Sequence, residues 1–218
     1  MNTRHLTRLF ALALLVPLAA PAAARTLEES YEEVRPAQPT QTVGKIEVLE
    51  FFWYGCPHCY AFEPLLEKWL ASKPADVEFV RVPGVLNENW LAHARAFYVE
   101  QKLDVLHKIH QPLFEALHKE KKLIYTEEAL REFFESLGVD GEQFTKAYDS
   151  AETTTRIKQA LLLARNYQID GVPTVIVNGK YRTSAAMAGS YEGLIQVIDA
   201  LVARERGAAP QGSRTGAP

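Results

Sequence analysis

Alternating and β-branched runs of residues predict four β-strands, at residues 46–53, 77–82, 175–177 and 181–184. Pro83-Gly84 ends the second run, because neither residue suits the interior of a strand. Asn178-Gly179 separates the last two runs, and this dipeptide is the strongest short-range signal for a β-hairpin. The pattern therefore predicts two early strands and a late hairpin.

Between and after these strands, apolar residues recur at the spacing of α-helices. The predicted helices cover residues 62–70, 90–98, 106–117, 130–137, 140–150, 152–167 and 191–204. We expect Pro112 to interrupt the third helix and Gly138 to end the fourth. Asp140 and Gln143 form a capping pair at the start of the fifth. The order of elements predicts an α/β domain that carries an all-helical insertion.

These patterns also predict the boundaries within the chain. Residues 43–83 and 152–205 would form the α/β domain, with residues 84–151 as the insertion. Residues 25–42 are rich in Pro, Gln and Thr and predict an extended lead-in, whereas residues 206–218 lack apolar periodicity and predict a disordered tail. Four histidines of the insertion are expected on solvated or boundary faces, rather than as ligands: His93, His107, His110 and His118.

Residues 1–24 have the pattern of a removable secretory signal. Arg4 and Arg8 precede an apolar stretch of about a dozen residues, and Ala22-Ala23-Ala24 supplies the small residues of a cleavage site. The apolar stretch is too short to span a bilayer, so a retained anchor is the less favoured alternative. No cysteine follows it to carry a lipid. We therefore expect export, with cleavage near Ala24.

Loss of the leader changes the charge balance of the chain. It removes two arginines and leaves 22 basic residues against 27 acidic ones, a net charge of −5. Such a chain is not expected to bind nucleic acid. The remaining 194 of 218 residues suffice for one sizeable core, and the hydrophobic content of 47% is typical of a globular protein.

The only two cysteines of the chain lie in Cys56-Pro57-His58-Cys59. A structural zinc site would need a second pair of ligands, and a c-type haem site would need histidine where Tyr60 stands. A static disulfide across so short a loop would stabilise the fold little. The remaining interpretation is a redox dithiol, in which one thiolate attacks a disulfide and the other thiol resolves the mixed disulfide.

The position of this dithiol predicts which cysteine attacks. It follows a strand and precedes a helix, so Cys56 would lie at the helix N-terminus, with Gly55 loosening the turn and Pro57 in the first helical turn. Unpaired backbone N–H groups and the helix dipole stabilise a thiolate there. The pKa of Cys56 should therefore be low, which makes Cys56 the nucleophile and Cys59 the resolving thiol.

Several stretches together resemble one known family: Val48-Leu49-Glu50-Phe51-Phe52, Cys56-Pro57-His58-Cys59-Tyr60, Phe62-Glu63, Gly171-Val172-Pro173 and Val177-Asn178-Gly179-Lys180-Tyr181. They are similar to the DsbA family, the periplasmic thiol:disulfide oxidoreductases of the thioredoxin superfamily. The resemblance covers most of the chain after the leader. It implies a thioredoxin fold with an inserted all-helical domain. Trp53-Tyr54-Gly55 is a variation on the family pattern.

The resemblance also implies roles for individual residues. Pro173 would be the family's cis-proline beside the dithiol, and Val172 would offer backbone hydrogen bonds to a substrate peptide. Glu50 would be the family's buried glutamate, which relays protons for Cys59. Glu63 matches a second carboxylate of the family, although a helix-surface position is the expectation from its pattern. His58 would add to the stabilisation of the Cys56 thiolate.

The predicted function is a periplasmic oxidase that donates the Cys56–Cys59 disulfide to reduced secreted proteins. The resemblance implies that a DsbB-like, quinone-linked membrane oxidase reoxidises the dithiol, and that the protein is a monomer. Nothing in the sequence indicates a metal, a nucleotide or an organic cofactor. Two alternatives stay open: a disulfide isomerase or reductase, for which the short lead-in leaves no dimerisation domain, and a peptide-binding chaperone, against which the intact dithiol argues.

Overall fold

The computed structural model describes residues 26–208, and the predicted leader, residues 1–24, lies outside them. The strands are β1 (Glu32–Glu33), β2 (Ile46–Phe52), β3 (Val77–Pro83), β4 (Thr174–Val177) and β5 (Tyr181–Ser184). The helices are α1 (Pro57–Leu70), α2 (Glu88–Lys102), α3 (Leu106–His118), α4 (Glu127–Ser136), α5 (Gly141–Tyr148), α6 (Ala151–Asn166), α7 (Ala185–Ala188) and α8 (Tyr191–Ala208). No helix in this range is long and apolar enough to cross a membrane.

The five strands form one mixed sheet in the order β1-β5-β4-β2-β3. Strands β2 and β3 are parallel, with Glu50 opposite Arg81, and the other neighbours are antiparallel. Strand β2 is buried along almost its whole length, since helices cover both of its faces. Val48 belongs to the core formed with α1 and α8, whereas Leu49 and Phe51 belong to the core formed with the helical block.

The helical block between β3 and α6 lies where the sequence predicts an insertion. Side chains at the helix N-termini cap α4, α5 and α6, and Asp140 accepts the Gln143 N–H at 2.8 Å as predicted. The expected break at Pro112 is wrong, because α3 continues through it. Burial of its neighbours, Leu113 and Phe114 among them, outweighs the one backbone hydrogen bond that proline removes.

Both ends of the described range are more ordered than the pattern predicts. The lead-in contributes β1, which pairs with β5, and Gln38 donates to the Gly179 carbonyl at 2.9 Å. Gly179 has a φ of 68°, and any β-carbon there would lie 2.1 Å from the Gln38 carbonyl oxygen, so this hairpin position requires glycine. The tail does not begin at residue 206, because α8 continues to Ala208 and Arg206 binds both carboxylate oxygens of Asp76.

Candidate active site

The dithiol lies where β2 passes into α1. Cys56 is the N-cap residue of α1, with extended backbone angles, and Pro57 follows in the first turn. Both cysteines are free thiols; Cys56 is 7% exposed and Cys59 only 1%. The predicted arrangement is therefore confirmed, with Cys56 at the helix end and Cys59 one turn inward.

Gly55 has a different role from the one expected. A β-carbon at this position would lie 2.3 Å from the Trp53 ring, so glycine leaves the space that the indole occupies. Trp53 in turn stacks on Trp90 of α2, with ring centroids 4.3 Å apart and planes 7° from parallel. The variation before the first cysteine thus builds an aromatic contact between the dithiol loop and the helical block.

The two thiols differ strongly in acidity. The hydrogen bond from the Cys59 thiol, the backbone N–H groups of Cys59 and His58, and the charge of His58 lower the pKa of Cys56 to about 6, against the opposing effect of burial. Burial, the neighbouring Cys56 and the charge of Glu50 raise the pKa of Cys59 well above its ordinary value. At neutral pH the pair therefore consists of one thiolate and one thiol.

The loop before β4 lies against Cys56. In its protonated form the Cys56 thiol donates to the Val172 carbonyl, with sulfur and oxygen 3.3 Å apart, and the Val172–Pro173 peptide bond is cis, as the resemblance implied. Arg35–Pro36 is also cis, which the sequence did not indicate. Residues 56 and 172 are 116 positions apart in the chain, so only the fold brings them together.

A groove of about 400 Å³ opens beside this contact. Its lining residues are His58, Asp170, Gly171, Val172, Pro173, Thr174, Ser184, Ala185, Ala186 and Tyr191. His58 is exposed at its edge, and His58 Nδ1 lies 3.0 Å from the Tyr191 hydroxyl of α8. Tyr191 was not a predicted site residue, since its position in the sequence carries no signal of this contact. The groove joins the predicted substrate-binding residues to the motif.

A buried ion-pair cluster lies beneath the dithiol. Arg81 of β3 binds Glu50 through Nε at 3.2 Å, binds Glu63, and reaches the exposed Glu67 at 2.9 Å. Glu50 is 1% exposed and its pKa rises to about 8, chiefly because of burial, although Arg81 opposes this. The expectation that Glu63 lies on the helix surface is wrong, because it is buried with Arg81 as its partner. Burial raises the Glu63 pKa, but hydrogen bonding and the Arg81 charge outweigh it, so the net shift is downward.

Sequence reasoning missed Arg81, because its signal appears only when the two strands are paired. An arginine within the short second strand, opposite an acidic residue of the first, indicates a charge pair once the two strands are placed side by side. The pairing register supplied that information, and the one-dimensional pattern did not.

The histidine prediction is only partly correct. His107 is exposed, but His93 and His110 are buried, because α2 and α3 pack these faces into the core. His93 lies 2.6 Å from the Ile124 carbonyl, and burial lowers its pKa to about 4. His118 lies 2.7 Å from the Tyr54 carbonyl, close to the dithiol loop. Residues 26–208 contain no cluster of three His, Cys, Asp or Glu side chains that could hold a metal ion.

Comparisons with known proteins agree with this site. The model of the DSBA-like thioredoxin domain matches residues 77–194, which begin after the dithiol. The thiol:disulfide interchange protein DsbA of Pseudomonas aeruginosa is 43% identical over 209 residues, which cover 96% of this chain and 99% of that protein. That of Burkholderia cepacia is 40% identical over 198 residues, covering 90% and 93%.

Solved structures give the same result. The crystal structure of Pseudomonas aeruginosa DsbA has a TM-score of 0.82 and 42% identity, covering 86% of this chain and 97% of that one. The Xylella fastidiosa DsbA structure has a TM-score of 0.78 and 32% identity, covering 85% and 100%. The predicted thioredoxin fold with an inserted helical domain is thereby confirmed, and the chain belongs to the DsbA family of thiol:disulfide oxidoreductases.

Proposed function

We propose that this protein oxidises pairs of cysteines in exported proteins by donating the Cys56–Cys59 disulfide. The observation that carries the proposal is the asymmetry of the two thiols. Cys56 has a pKa of about 6 at a helix end beside a groove, and Cys59 is buried with a raised pKa. A stabilised thiolate favours the reduced protein, so the disulfide form is the oxidant.

The exchange proceeds in two steps. A substrate thiolate attacks Cys56 Sγ of the disulfide, the S–S bond breaks, and Cys59 leaves with the electron pair and accepts a proton. A second substrate thiolate then attacks the substrate sulfur of the mixed disulfide and releases the Cys56 thiolate. The substrate loses two electrons and two protons; one proton stays on Cys59 and the other enters the solvent.

Glu50 is the group that we assign to supply the Cys59 proton. With a pKa of about 8 it is mostly protonated at neutral pH, and once it has lost its proton the charge of the carboxylate raises the pKa of Cys59. Pro57 holds the first turn of α1 in place without needing a hydrogen bond there. His58 stabilises the Cys56 thiolate through its backbone N–H and its charge.

Val172 and Pro173 are the residues that we assign to substrate binding. They line the groove, and the Val172 carbonyl already lies within hydrogen-bond distance of Cys56 Sγ. An extended peptide whose cysteine approaches Cys56 would therefore pass along the Val172 backbone. Such backbone pairing would let one site accept many sequences.

The periplasm is the compartment that we propose, since the leader-like residues 1–24 predict export and the dithiol supplies the only cysteines. A DsbB-like, quinone-linked membrane oxidase would restore the disulfide. The protein would act as a monomer on single substrate chains.

The test is the oxidation of a reduced peptide that contains two cysteines. We expect the oxidised protein to convert it stoichiometrically and the glutathione equilibrium to favour the reduced protein, as an oxidase requires and an isomerase or reductase does not. With the disulfide form of the peptide, Cys59→Ser should accumulate mixed disulfides at Cys56, because the Cys56 thiolate attacks the peptide disulfide and no second thiol resolves the product, whereas Cys56→Ser should form none. Mixed disulfides formed chiefly at residue 59, or an equilibrium that favours the disulfide, would contradict the proposal.

A further inference from the structure

Three buried polar side chains from separate elements meet behind the dithiol. The Tyr54 hydroxyl lies 2.7 and 2.8 Å from the two carboxyl oxygens of Glu100 on α2, and 2.6 Å from Nδ1 of His110 on α3. None of these residues is more than 6% exposed. We call Tyr54, Glu100 and His110 the buried triad. The oxidase mechanism makes no use of it.

The other side of His110 leads to the ion-pair cluster. His110 Nε2 lies 3.3 Å from a carboxyl oxygen of Glu63, and within the described residues it has no hydrogen-bond partner of good geometry. Glu63 also binds Arg81, which binds Glu50. The triad is therefore linked to the carboxyl group that we assign to proton supply at Cys59.

The surroundings of His110 isolate this link from water. Aromatic rings enclose the imidazole, with centroids between 5.1 and 6.2 Å away: Phe52, Tyr54, Phe97 and Phe114. The charged or titratable groups that face it are Glu63 on α1, Arg81 on β3 and Glu100 on α2, together with Tyr54. In such an environment a change of one proton has a large electrostatic effect.

Two arrangements of the protons satisfy the hydrogen bonds among the three side chains of the triad. In the first, a neutral Glu100 donates to Tyr54, the Tyr54 hydroxyl donates to His110 Nδ1, and the Nε2–H points to Glu63. In the second, a charged His110 donates from both nitrogens, and Tyr54 donates to a Glu100 carboxylate. The two arrangements contain the same number of protons. They differ by the transfer of one proton from Glu100 to His110 through the Tyr54 hydroxyl. Burial raises the pKa of Glu100 and lowers that of His110, so the first is the resting arrangement.

We propose that the buried triad shares one proton between Glu100 and His110. The position of this proton determines how strongly Arg81 stabilises the Glu50 carboxylate, and hence how readily Glu50 supplies a proton to Cys59. With the proton on His110, Glu63 gains a second cationic partner and Arg81 stabilises the Glu50 carboxylate more strongly. Glu50 then releases its proton more readily. Glu100, Tyr54 and His110 are positioning residues, because they act through Arg81 and touch no reacting sulfur in this arrangement.

The inference rests on the proposed oxidase function and predicts a reciprocal coupling. If His110 protonation influences the dithiol, the redox state of the dithiol must influence His110 to the same extent. We expect the proton affinity of the His110 imidazole, measured by NMR titration, to differ about fivefold between oxidised and reduced protein. This factor is the lower end of the range for coupled sites. The glutathione equilibrium measured across pH should show the matching dependence.

Two variants separate proton sharing from a structural role. Glu100→Gln keeps the size and a donor toward Tyr54, but it cannot become an anion. Charged His110 then loses its counterion, so its titration midpoint should fall and the difference between redox states should disappear. Tyr54→Phe should remove the same difference by breaking the path. Tyr98→Phe removes the hydroxyl of a buried tyrosine on α2 that lies outside the triad, and it serves as the control, with wild-type behaviour expected.

The outcomes distinguish this inference from the proposed function. Oxidation of the two-cysteine peptide by the wild type, dependent on Cys56, tests the function alone. If that activity is present but Glu100→Gln keeps the wild-type His110 titration and the wild-type pH dependence of the glutathione equilibrium, the proton-sharing proposal is wrong. An equal His110 midpoint in oxidised and reduced wild type would overturn it as well.

Discussion

Removing the Cys59 thiol should make Cys56 a weaker acid. Several groups lower the pKa of Cys56, and the hydrogen bond from Cys59 is the largest contribution among them. Cys59→Ala deletes this donor but leaves the backbone N–H groups at the start of α1. The Cys56 pKa should therefore rise from about 6 without reaching the value of a free thiol.

The size of the rise follows from the energy of one charged hydrogen bond. Such a bond contributes about 1.5–3 kcal/mol, and one pKa unit corresponds to about 1.4 kcal/mol. The Cys56 pKa should thus increase by roughly one to two units. At pH 7 the thiolate fraction would fall from about nine-tenths to between about one-tenth and one-half.

Thiolate absorbance in the ultraviolet and the rate of alkylation, both measured across pH, report the Cys56 midpoint directly. Cys59→Ser is the matched variant, because its hydroxyl still donates a hydrogen bond. We expect its midpoint to stay close to that of the reduced wild type. A Cys59→Ala midpoint equal to the wild type, or a Cys59→Ser midpoint as high as that of Cys59→Ala, would refute the assignment of this donor.

The same acidity makes the stability of the reduced protein depend on pH. The Cys56 pKa is about 6 in the folded state and about 8.5 when unfolded, so the unfolded state binds more protons between these values. The stabilisation of the folded protein by the Cys56 thiolate is complete above about pH 8.5 and is lost as the pH falls through 6. This stabilisation amounts to at most about 3.4 kcal/mol, and solvent screening reduces it. Denaturant unfolding of the reduced wild type against Cys56→Ser measures it, and parallel pH dependences of the two would contradict it.

Three further substitutions test other parts of the site. Arg81→Met should destabilise the protein by about 3–5 kcal/mol in urea unfolding, because it leaves Glu50 and Glu63 buried without their cation. A loss of stability below about 1 kcal/mol would show that water replaces the guanidinium. His58→Gln should raise the pKa of the Cys56 thiol less than Cys59→Ala does. The charge of His58 is the weakest of the effects that lower this pKa, and the backbone N–H of residue 58 remains in the variant. Alkylation rates across pH measure the rise, and a rise larger than that of Cys59→Ala would contradict this order. Pro173→Thr changes the groove wall beside the nucleophile and should let mixed disulfides persist on non-reducing gels; wild-type turnover with no trapped complexes would remove Pro173 from the substrate site.

Local patterns were sufficient for most elements of the fold. A run of β-branched and aromatic residues predicted β2, and alternation predicted β3. The Asn178-Gly179 hairpin is present with both residues at positive φ. The failures lie where tertiary packing outweighs local preference. Strand β1 consists of two glutamates with little strand propensity, and its pairing with β5 creates it. Helix α3 passes through Pro112 because buried neighbours stabilise it on both sides.

The sequence by itself determined the reacting groups, because a two-residue spacing at a strand-to-helix turn places one thiol at a helix end whatever the rest of the chain does. Only the tertiary structure decided their surroundings. Arg81 and Tyr191 reach the site across the sheet and from the last helix, and His110 is buried where its pattern predicted a boundary face. Such contacts depend on strand register and on helix packing between residues that are far apart in the sequence. The spacing of residues along the chain contains no information about either.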